Sequence, residues 1–499
     1  MLSTNRKIVL VFLAVSFLLR PACLNLNAAE YTDGILQIAA FEYRFTFWPP
    51  LYTLATRGLA LLVGDLEQSA KLVSILSSTV LLIPLFGLTL ELAGRRAAIF
   101  ALLFYMTNAI AWRWSIRVMS DSLFAVLFFW AATLCLRILW QAAEDLPSDD
   151  IATRKPIRSL VAASFLAALA TLTRYQGVLL LPLGLIALRQ IWLRRTDRQQ
   201  SRVSVSLLLA ILPWIAVLAW MVGYSWRHGQ QIAERTGATL AQTLLIYWLQ
   251  AESLILLFPY FVTIGVFVLF AVGLGGFIAG DRRQRQFAWS FVALALPLIA
   301  VQSMFGAFQE RYLLPLVPFV MILAGAAAAH WEERARNTVV LVRVALFAIL
   351  LYSFGWTVAA LYFQRAAFGD IKQASLYCAT LPLGVRVFSN EIYRDMPAVK
   401  MSFWAGRPVQ GFTGLEQLSK GDYVCLHSCY GAIEDATAYV QSRYDATAAT
   451  VFESRIVPLL PDIMEVPGTH PNPLAWFYRY QPQTFRTIVF RIDGPRPAR

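Results

Sequence analysis

The stretch Ala29–Pro50, AEYTDGILQIAAFEYRFTFWPP, follows the first apolar run of the chain and carries Glu30, Asp33, Glu42 and Arg44. Nearly every other charge in the first half of the sequence sits at the edge of an apolar run. A charged loop just beyond a first membrane segment is either a solvated connection or a place where carboxylates do chemistry. The surroundings of the loop decide between the two.

Those surroundings are membrane. The chain has 499 residues, 58% hydrophobic and 15% charged, with a mean hydropathy of +0.57. A water-soluble core cannot absorb that much apolar surface, and apolar runs of about 17 residues or more recur along the sequence. The formal charge of +13 is no nucleic-acid footprint. Its excess lies in short loops, at Arg95 and Arg96, at Arg189, Arg194, Arg195, Arg198 and Arg202, at Arg282, Arg283 and Arg285, and at Arg334 and Arg336. This pattern marks the cytoplasmic ends of spans.

Working outward gives eleven spans, at 8–24, 71–93, 97–112, 122–140, 159–173, 177–193, 205–224, 254–279, 287–305, 313–329 and 338–363. The first run could be a cleavable signal with Ala28 and Ala29 near the cut; with so many spans following, it reads as a retained helix. Trp48-Pro49-Pro50 breaks the chain, and 51–63 is too short to span, so it reads as a helix lying in the interface, as does 240–249. The basic clusters put the amino terminus inside and the carboxyl terminus outside, with outer loops 25–70, 113–121 and 225–253. From residue 364 the composition changes. Strands are expected at 385–389, 423–426 and 487–492, and a helix at 434–444. The expected fold class is an all-α polytopic membrane domain, 1–363, followed by a small outer α/β domain, 364–499. Cys425 and Cys429 could close a disulfide there or stay as thiols, and the four histidines share no metal-ligand spacing.

The span interiors hold almost no ionisable groups. Glu91, Arg137, Arg189 and Arg343 fall near inner ends and Arg20 near an outer end, where long side chains snorkel. This disfavours ion-coupled transport, which needs charge at depth. It leaves open a lipid or polysaccharide flippase, or an envelope-assembly scaffold. Polar groups gather instead at the outer face: Glu30, Asp33, Glu42, Arg44, Arg57, Lys71, Arg113, Arg117, Asp121, Arg174, Glu310 and Arg311. Carboxylates there can take a proton from an acceptor hydroxyl, and guanidinium groups can hold a phosphate. That division of labour suits a sugar carried on a lipid phosphate. Each residue also has a plainer reading. Arg113 and Arg117 serve equally as interfacial anchors, Ser120 or Asp121 as a helix cap, Arg174 as the structural partner of an outer carboxylate, and Trp48, Tyr52, Trp112 and Trp114 as an aromatic belt.

Five stretches resemble a known family. They are Tyr31-Thr32-Asp33, Pro49-Pro50-Leu51-Tyr52, the segment RVMSDSLF from Arg117, the segment LTRYQGVLLLP from Leu172, and the segment ERYLLPLVP from Glu310. Together, over about the first 330 residues, they are similar to the type C (GT-C) glycosyltransferases that use polyprenyl-phosphate sugars, in the protein O-mannosyltransferase and lipid A aminoarabinose transferase group. The resemblance implies that Asp33 is the general base, with Glu30 and Asp121 as further acids. It also implies that Arg117, Arg174 and Arg311 bind the lipid phosphate, with Lys71, Arg57 and Tyr175 as weaker donor-side candidates. Gly34 stands where many relatives carry a second acid, and the Trp-Trp-Asp motif of oligosaccharyltransferases is absent.

The expected activity is transfer of a single sugar from a polyprenyl monophosphate to a hydroxyl of a protein, lipid or glycan acceptor, on the outer face of a bacterial inner membrane. Membrane lipids are partners and nucleic acid is not. A divalent cation, Mg or Mn, held by Asp33 with Glu30 or Asp121 stays an open expectation.

Overall fold

The computed structural model describes residues 2–30, 32–42, 48–141, 150–193, 209–220, 222–223, 248, 252, 256–303, 310–335, 337–391, 398–414, 417–428, 433–457, 459 and 482–496. The chain is a multi-pass helical membrane protein with a small carboxyl-terminal sheet unit. Its helices are α1 (Leu2–Ala22), α2 (Thr32–Ile38), α3 (Leu51–Val63), α4 (Leu66–Val80), α5 (Leu82–Met106), α6 (Ala109–Ser115), α7 (Asp121–Gln141), α8 (Asp150–Thr173) and α9 (Leu181–Leu193). There follow α10 (Leu209–Trp220) and α11 (Leu256–Val262), then α12 (Ile264–Ala279), α13 (Arg282–Ser303), α14 (Val317–Arg334), α15 (Val339–Gln364), α16 (Gly369–Ala379), α17 (Val399–Ala405) and α18 (Ile433–Arg443). The strands are β1 (Val387–Ser389), β2 (Gln410–Gly411), β3 (Tyr423–His427), β4 (Tyr444–Ile456) and β5 (Gln483–Pro495).

Two compact units divide the chain. One holds Met1–Ala22 and Thr46–Val358, the other Cys23–Phe45 with most of Ala359–Arg499. Glu30, Asp33 and Glu42 therefore belong to the carboxyl-terminal unit, which is not contiguous in sequence. Backbone bonding shows why: Ala28 N–H donates to the Arg365 carbonyl at 2.8 Å, and α2 packs on α17.

Among the described residues six helices are long and apolar enough to cross a membrane, or seven if the bent pair α11–α12 counts as one, against the eleven expected. The shortfall has local causes. The expected span 8–24 forms in α1, but Arg6, Lys7 and Arg20 dilute its hydropathy. The expected spans 71–93 and 97–112 run as one helical stretch, Leu66–Met106, broken at Gly94. Gly94 has φ +84°, a conformation open to glycine. Much of 205–224 and the segment 240–249 lie outside the described residues.

The membrane unit is built around α14. Its apolar window is 94% buried, whereas that of α15 is 17% buried and faces outward. Small residues make this possible. A Cβ on Gly273 would lie 2.0 Å from the Leu323 carbonyl oxygen, and one on Gly325 2.6 Å from that of Ala97. The backbones of α12 and α5 thus approach α14 directly, the contact small residues give in a membrane. Phe129, Phe287 and Phe291 close the packing around Phe319 of α14.

Charges near the helix ends pair with each other. Arg137 of α7 donates through Nε and Nη2 to Glu91 of α5 at 3.0 and 2.6 Å, and Arg343 of α15 donates to Glu332 of α14 at 2.6 Å. Arg20 departs from the snorkelling expected of it. It is fully buried, and its Nε donates to Ser115 Oγ of α6 at 2.9 Å.

In the second unit the sheet has order β2-β1-β3-β5-β4. β1 runs parallel to β2 and β3, and β5 antiparallel to β3 and β4. Phe388, Val424, Leu426, Phe490 and Ile492 form its core with Val440 of α18. The strands expected around 385–389, 423–426 and 487–492 and the helix at 434–444 correspond to β1, β3, β5 and α18. The long strand β4, the helices α16 and α17 and the short strand β2 were not read from sequence. Cys429 lies outside the described residues, and Cys425 is buried.

Candidate active site

In the membrane unit the site starts from a break in a helix. The α11–α12 pair bends by 109°, at Thr263, whose φ is +69°. The break frees backbone groups that lipid cannot satisfy. Asn108 meets one of them: its Nδ2 donates to the Phe261 carbonyl at 3.0 Å. Its Oδ1 accepts from Ala111 N–H at 2.9 Å and so caps α6. On the other side of the bend, Thr263 and Ser353 share a hydroxyl hydrogen bond of 2.7 Å.

Helix α6 is fixed at its other end too. Arg20 reaches it from α1, bonding Ser115 and lying 5.1 Å from the Trp112 ring centroid. Ser122 Oγ donates to the Trp114 carbonyl at 3.0 Å, and Ser74 Oγ of α4 donates to the Met119 carbonyl at 3.1 Å. These bonds hold the residues from 109 to 122 as a folded connection and not as a solvated loop.

The connection presents a ring of arginines. Arg113, Arg117 and Arg311 each place the guanidinium carbon 5.5 Å from the Trp114 ring centroid. All are 2–3% exposed, and Trp114 is fully buried. Arg311 lies 5.3 Å from the Tyr312 ring and Arg174 5.1 Å from the same ring. Arg174 forms an ion pair with Asp121, the first residue of α7. Each desolvated cation–π contact is worth about 2 kcal/mol. Like charges packed this closely repel one another in a weakly screening interior, and negative charge among them relieves that repulsion.

Arg174 owes its place to a tight turn. Helix α8 ends at Thr173, Arg174 is extended, and Gly177 N–H donates to the Arg174 carbonyl at 2.9 Å. A Cβ on Gly177 would lie 2.4 Å from the Thr171 nitrogen, so the turn closes only around glycine.

Of the residues singled out from sequence, the structure brings together Arg117, Arg174, Arg311 and Asp121. Arg113, read from sequence as an outer-face arginine or equally as an interfacial anchor, belongs with them; its spacing of four from Arg117 was the available signal. Lys71 lies on α4, buried and paired at 2.8 Å with Glu67 one turn earlier. Arg57 lies on α3, half-buried, and Tyr175 opens the turn after Arg174.

The first acids lie in the other unit. Glu30 is fully buried and accepts from Asn27 Nδ2 at 2.7 Å. Asp33, half-buried, stands in the first turn of α2, where a carboxylate is favoured by the helix dipole. Tyr31 and Arg44 lie outside the described residues, as does the side chain of Glu310. Among the described residues no group of three His, Cys, Asp or Glu side chains is arranged to hold a metal.

With this geometry in hand, comparison with known proteins places the chain. Residues 48–220 match the family model for dolichyl-phosphate-mannose-protein mannosyltransferase. Along almost its whole length the structure is similar to ArnT from Cupriavidus metallidurans bound to undecaprenyl phosphate, with TM-score 0.61, 14% identity, and 97% of each chain covered. The chain has the GT-C glycosyltransferase fold. The same ArnT in the apo state gives TM-score 0.61 at 13% identity over 98% of each chain. The Archaeoglobus fulgidus oligosaccharyltransferase tethered with an acceptor peptide gives 0.53 at 10% identity, over 89% of this chain and 69% of that one. No curated protein matches by sequence. The family match begins at Trp48 and takes in the arginine-bearing connection and the Arg174 turn.

Proposed function

We propose that this GT-C protein transfers a single sugar from a polyprenyl monophosphate to an acceptor hydroxyl, on the extracytoplasmic face of a bacterial inner membrane. The observation that carries the reading is the buried cluster of Arg113, Arg117 and Arg311 around Trp114, linked through Tyr312 to the Arg174–Asp121 pair. A departing phosphate is a tetrahedral dianion, and preorganised guanidinium groups in a dry site stabilise the charge that develops on it. The similar ArnT structure carries undecaprenyl phosphate, a ligand of that chemistry. Asp33 takes the acceptor proton as the hydroxyl attacks the anomeric carbon, and direct displacement inverts the sugar. Asp121 is assigned to holding Arg174 and not to proton transfer, because that guanidinium already engages its buried carboxylate.

The test is donor consumption by the purified protein in nanodiscs, with a panel of radiolabelled polyprenyl-phosphate sugars and an envelope extract as acceptor. Transfer by wild type that collapses in Asp33→Asn and in Arg117→Gln supports the roles. Transfer retained in Asp33→Asn removes it as the base. Lipid movement across the bilayer without transfer, undisturbed by Asp33→Asn, would replace the enzyme with a flippase.

A further inference from the structure

We infer that Cys378 and Cys425 are joined by a disulfide that ties α16 to the central strand β3 of the carboxyl-terminal unit. The two sulfurs lie 3.5 Å apart, and both residues are fully buried. Cys425 is fixed by the sheet on both sides, opposite Ser389 of β1 and Val489 of β5. Cys378 stands near the end of α16, whose neighbouring carbonyls are gathered by Arg407: Nη1 donates to Leu381 and Pro382 at 2.9 and 3.1 Å. Closing to the S–S bond length of about 2.05 Å brings the two sulfurs about 1.5 Å nearer.

The exchange balances with the Cys378 thiolate attacking first. It displaces one sulfur of an external protein disulfide and forms a mixed disulfide. Cys425 loses its proton and attacks the Cys378 sulfur, releasing the oxidant as a dithiol. Two S–H bonds are lost, one S–S bond forms, and two electrons pass to the oxidant. Because both sulfurs end up buried, the bond forms while the unit folds. It closes a long loop, the two cysteines being 47 positions apart, and so restrains the unfolded chain strongly.

The inference rests on the extracytoplasmic placement proposed above, since only an oxidising compartment supplies the oxidant. The experiment is alkylation of whole cells with a maleimide under denaturing quench, then peptide mass mapping of the full-length protein. A peptide pair linked through Cys378 and Cys425 is expected. It should disappear on reduction, with thermal unfolding of the purified protein falling by roughly 5–10 °C. Cys425 found linked to Cys429, or both Cys378 and Cys425 alkylated, overturns the native cross-link. A second arm unfolds purified reduced protein in urea and refolds it with oxidised glutathione. Cross-linking there, after alkylation of both thiols in cells, locates the fault in the proposed compartment; no cross-linking in either arm locates it in the pairing itself. The variants Cys378→Ala and Cys425→Ala should lower the unfolding temperature equally, and the double variant no further.

Discussion

Arg174 and Asp121, 53 positions apart, meet as an ion pair in which the carboxylate is 2% exposed and the guanidinium side chain 14%. Among the described residues Asp121 Oδ2 accepts no hydrogen bond, so Arg174 is its principal charge compensation. Removing Arg174 strands a buried carboxylate. Arg174→Ala should destabilise the protein by about 3–5 kcal/mol, while the double variant with Asp121→Ala recovers much of the loss. Thermal unfolding of the four proteins in nanodiscs completes the cycle. Additive losses would show that the pair contributes nothing as a pair.

The cluster around Trp114 makes a different prediction, about binding. Arg113→Gln, Arg117→Gln and Arg311→Gln should each weaken affinity for a polyprenyl monophosphate roughly ten- to a hundredfold, the worth of a charged hydrogen bond. Lysine at the same positions should restore little, because it forfeits both the planar stacking on Trp114 and the bidentate grip. Competition binding with a labelled lipid phosphate measures this. Equal affinity across the set would assign these arginines to packing alone.

The class of the molecule was plain from its sequence, because apolar runs and basic edges are local properties. So was the helix 51–63, which α3 matches residue for residue between Pro50 and the left-handed Gly64. What sequence could not supply was facing. Arg20 sits at the end of an apolar run like any snorkelling residue, yet it turns inward to Ser115, 95 positions away. Nor does the spacing of Ala28 and Arg365 announce that the acidic stretch docks on the carboxyl-terminal unit. Strand β4 escaped for the opposite reason. Its Ala- and Thr-rich residues are largely exposed, so the alternation that marks a half-buried strand has little contrast.

That docking can be tested through Gly369. A Cβ there would meet Ala28 Cβ at 3.5 Å and Ser454 Cβ at 3.9 Å, which is ordinary contact. Gly369→Ala should therefore be tolerated, whereas Gly369→Leu must push aside the segment that leads to Asp33. The expected result is a tenfold or greater fall in turnover for Gly369→Leu with donor affinity unchanged, since the arginine cluster lies in the other unit. A parallel loss of donor binding would refute the separation of roles.

A pH dependence follows from His427 in β3. Burial, and then the nearby Lys400 charge, hold its imidazole well below the ordinary value of 6.5. In the folded unit the ring stays neutral, while in the unfolded chain it takes up a proton as pH falls through that value. The unfolded state then binds more protons, so the stability His427 contributes is present in full above pH 6.5 and is lost progressively below it. The slope is about 1.4 kcal/mol per pH unit until the folded-state value is reached. Asp370 acts in the opposite sense. Burial raises its carboxyl despite the Thr487 and Ser454 hydroxyls, so its contribution is complete in acid and lost as pH rises through the folded value. The two windows run toward each other, Asp370 from its ordinary value of 3.8 upward and His427 from 6.5 downward, so the His427→Phe comparison, and not the pH range, separates them. Hydrogen exchange of the β3 peptide in the full-length protein, followed from pH 7.5 to 5.5 and corrected for intrinsic exchange, should show protection falling on acidification in wild type. His427→Phe should flatten that profile. A profile unchanged by the substitution would mean that the imidazole titrates alike in both states.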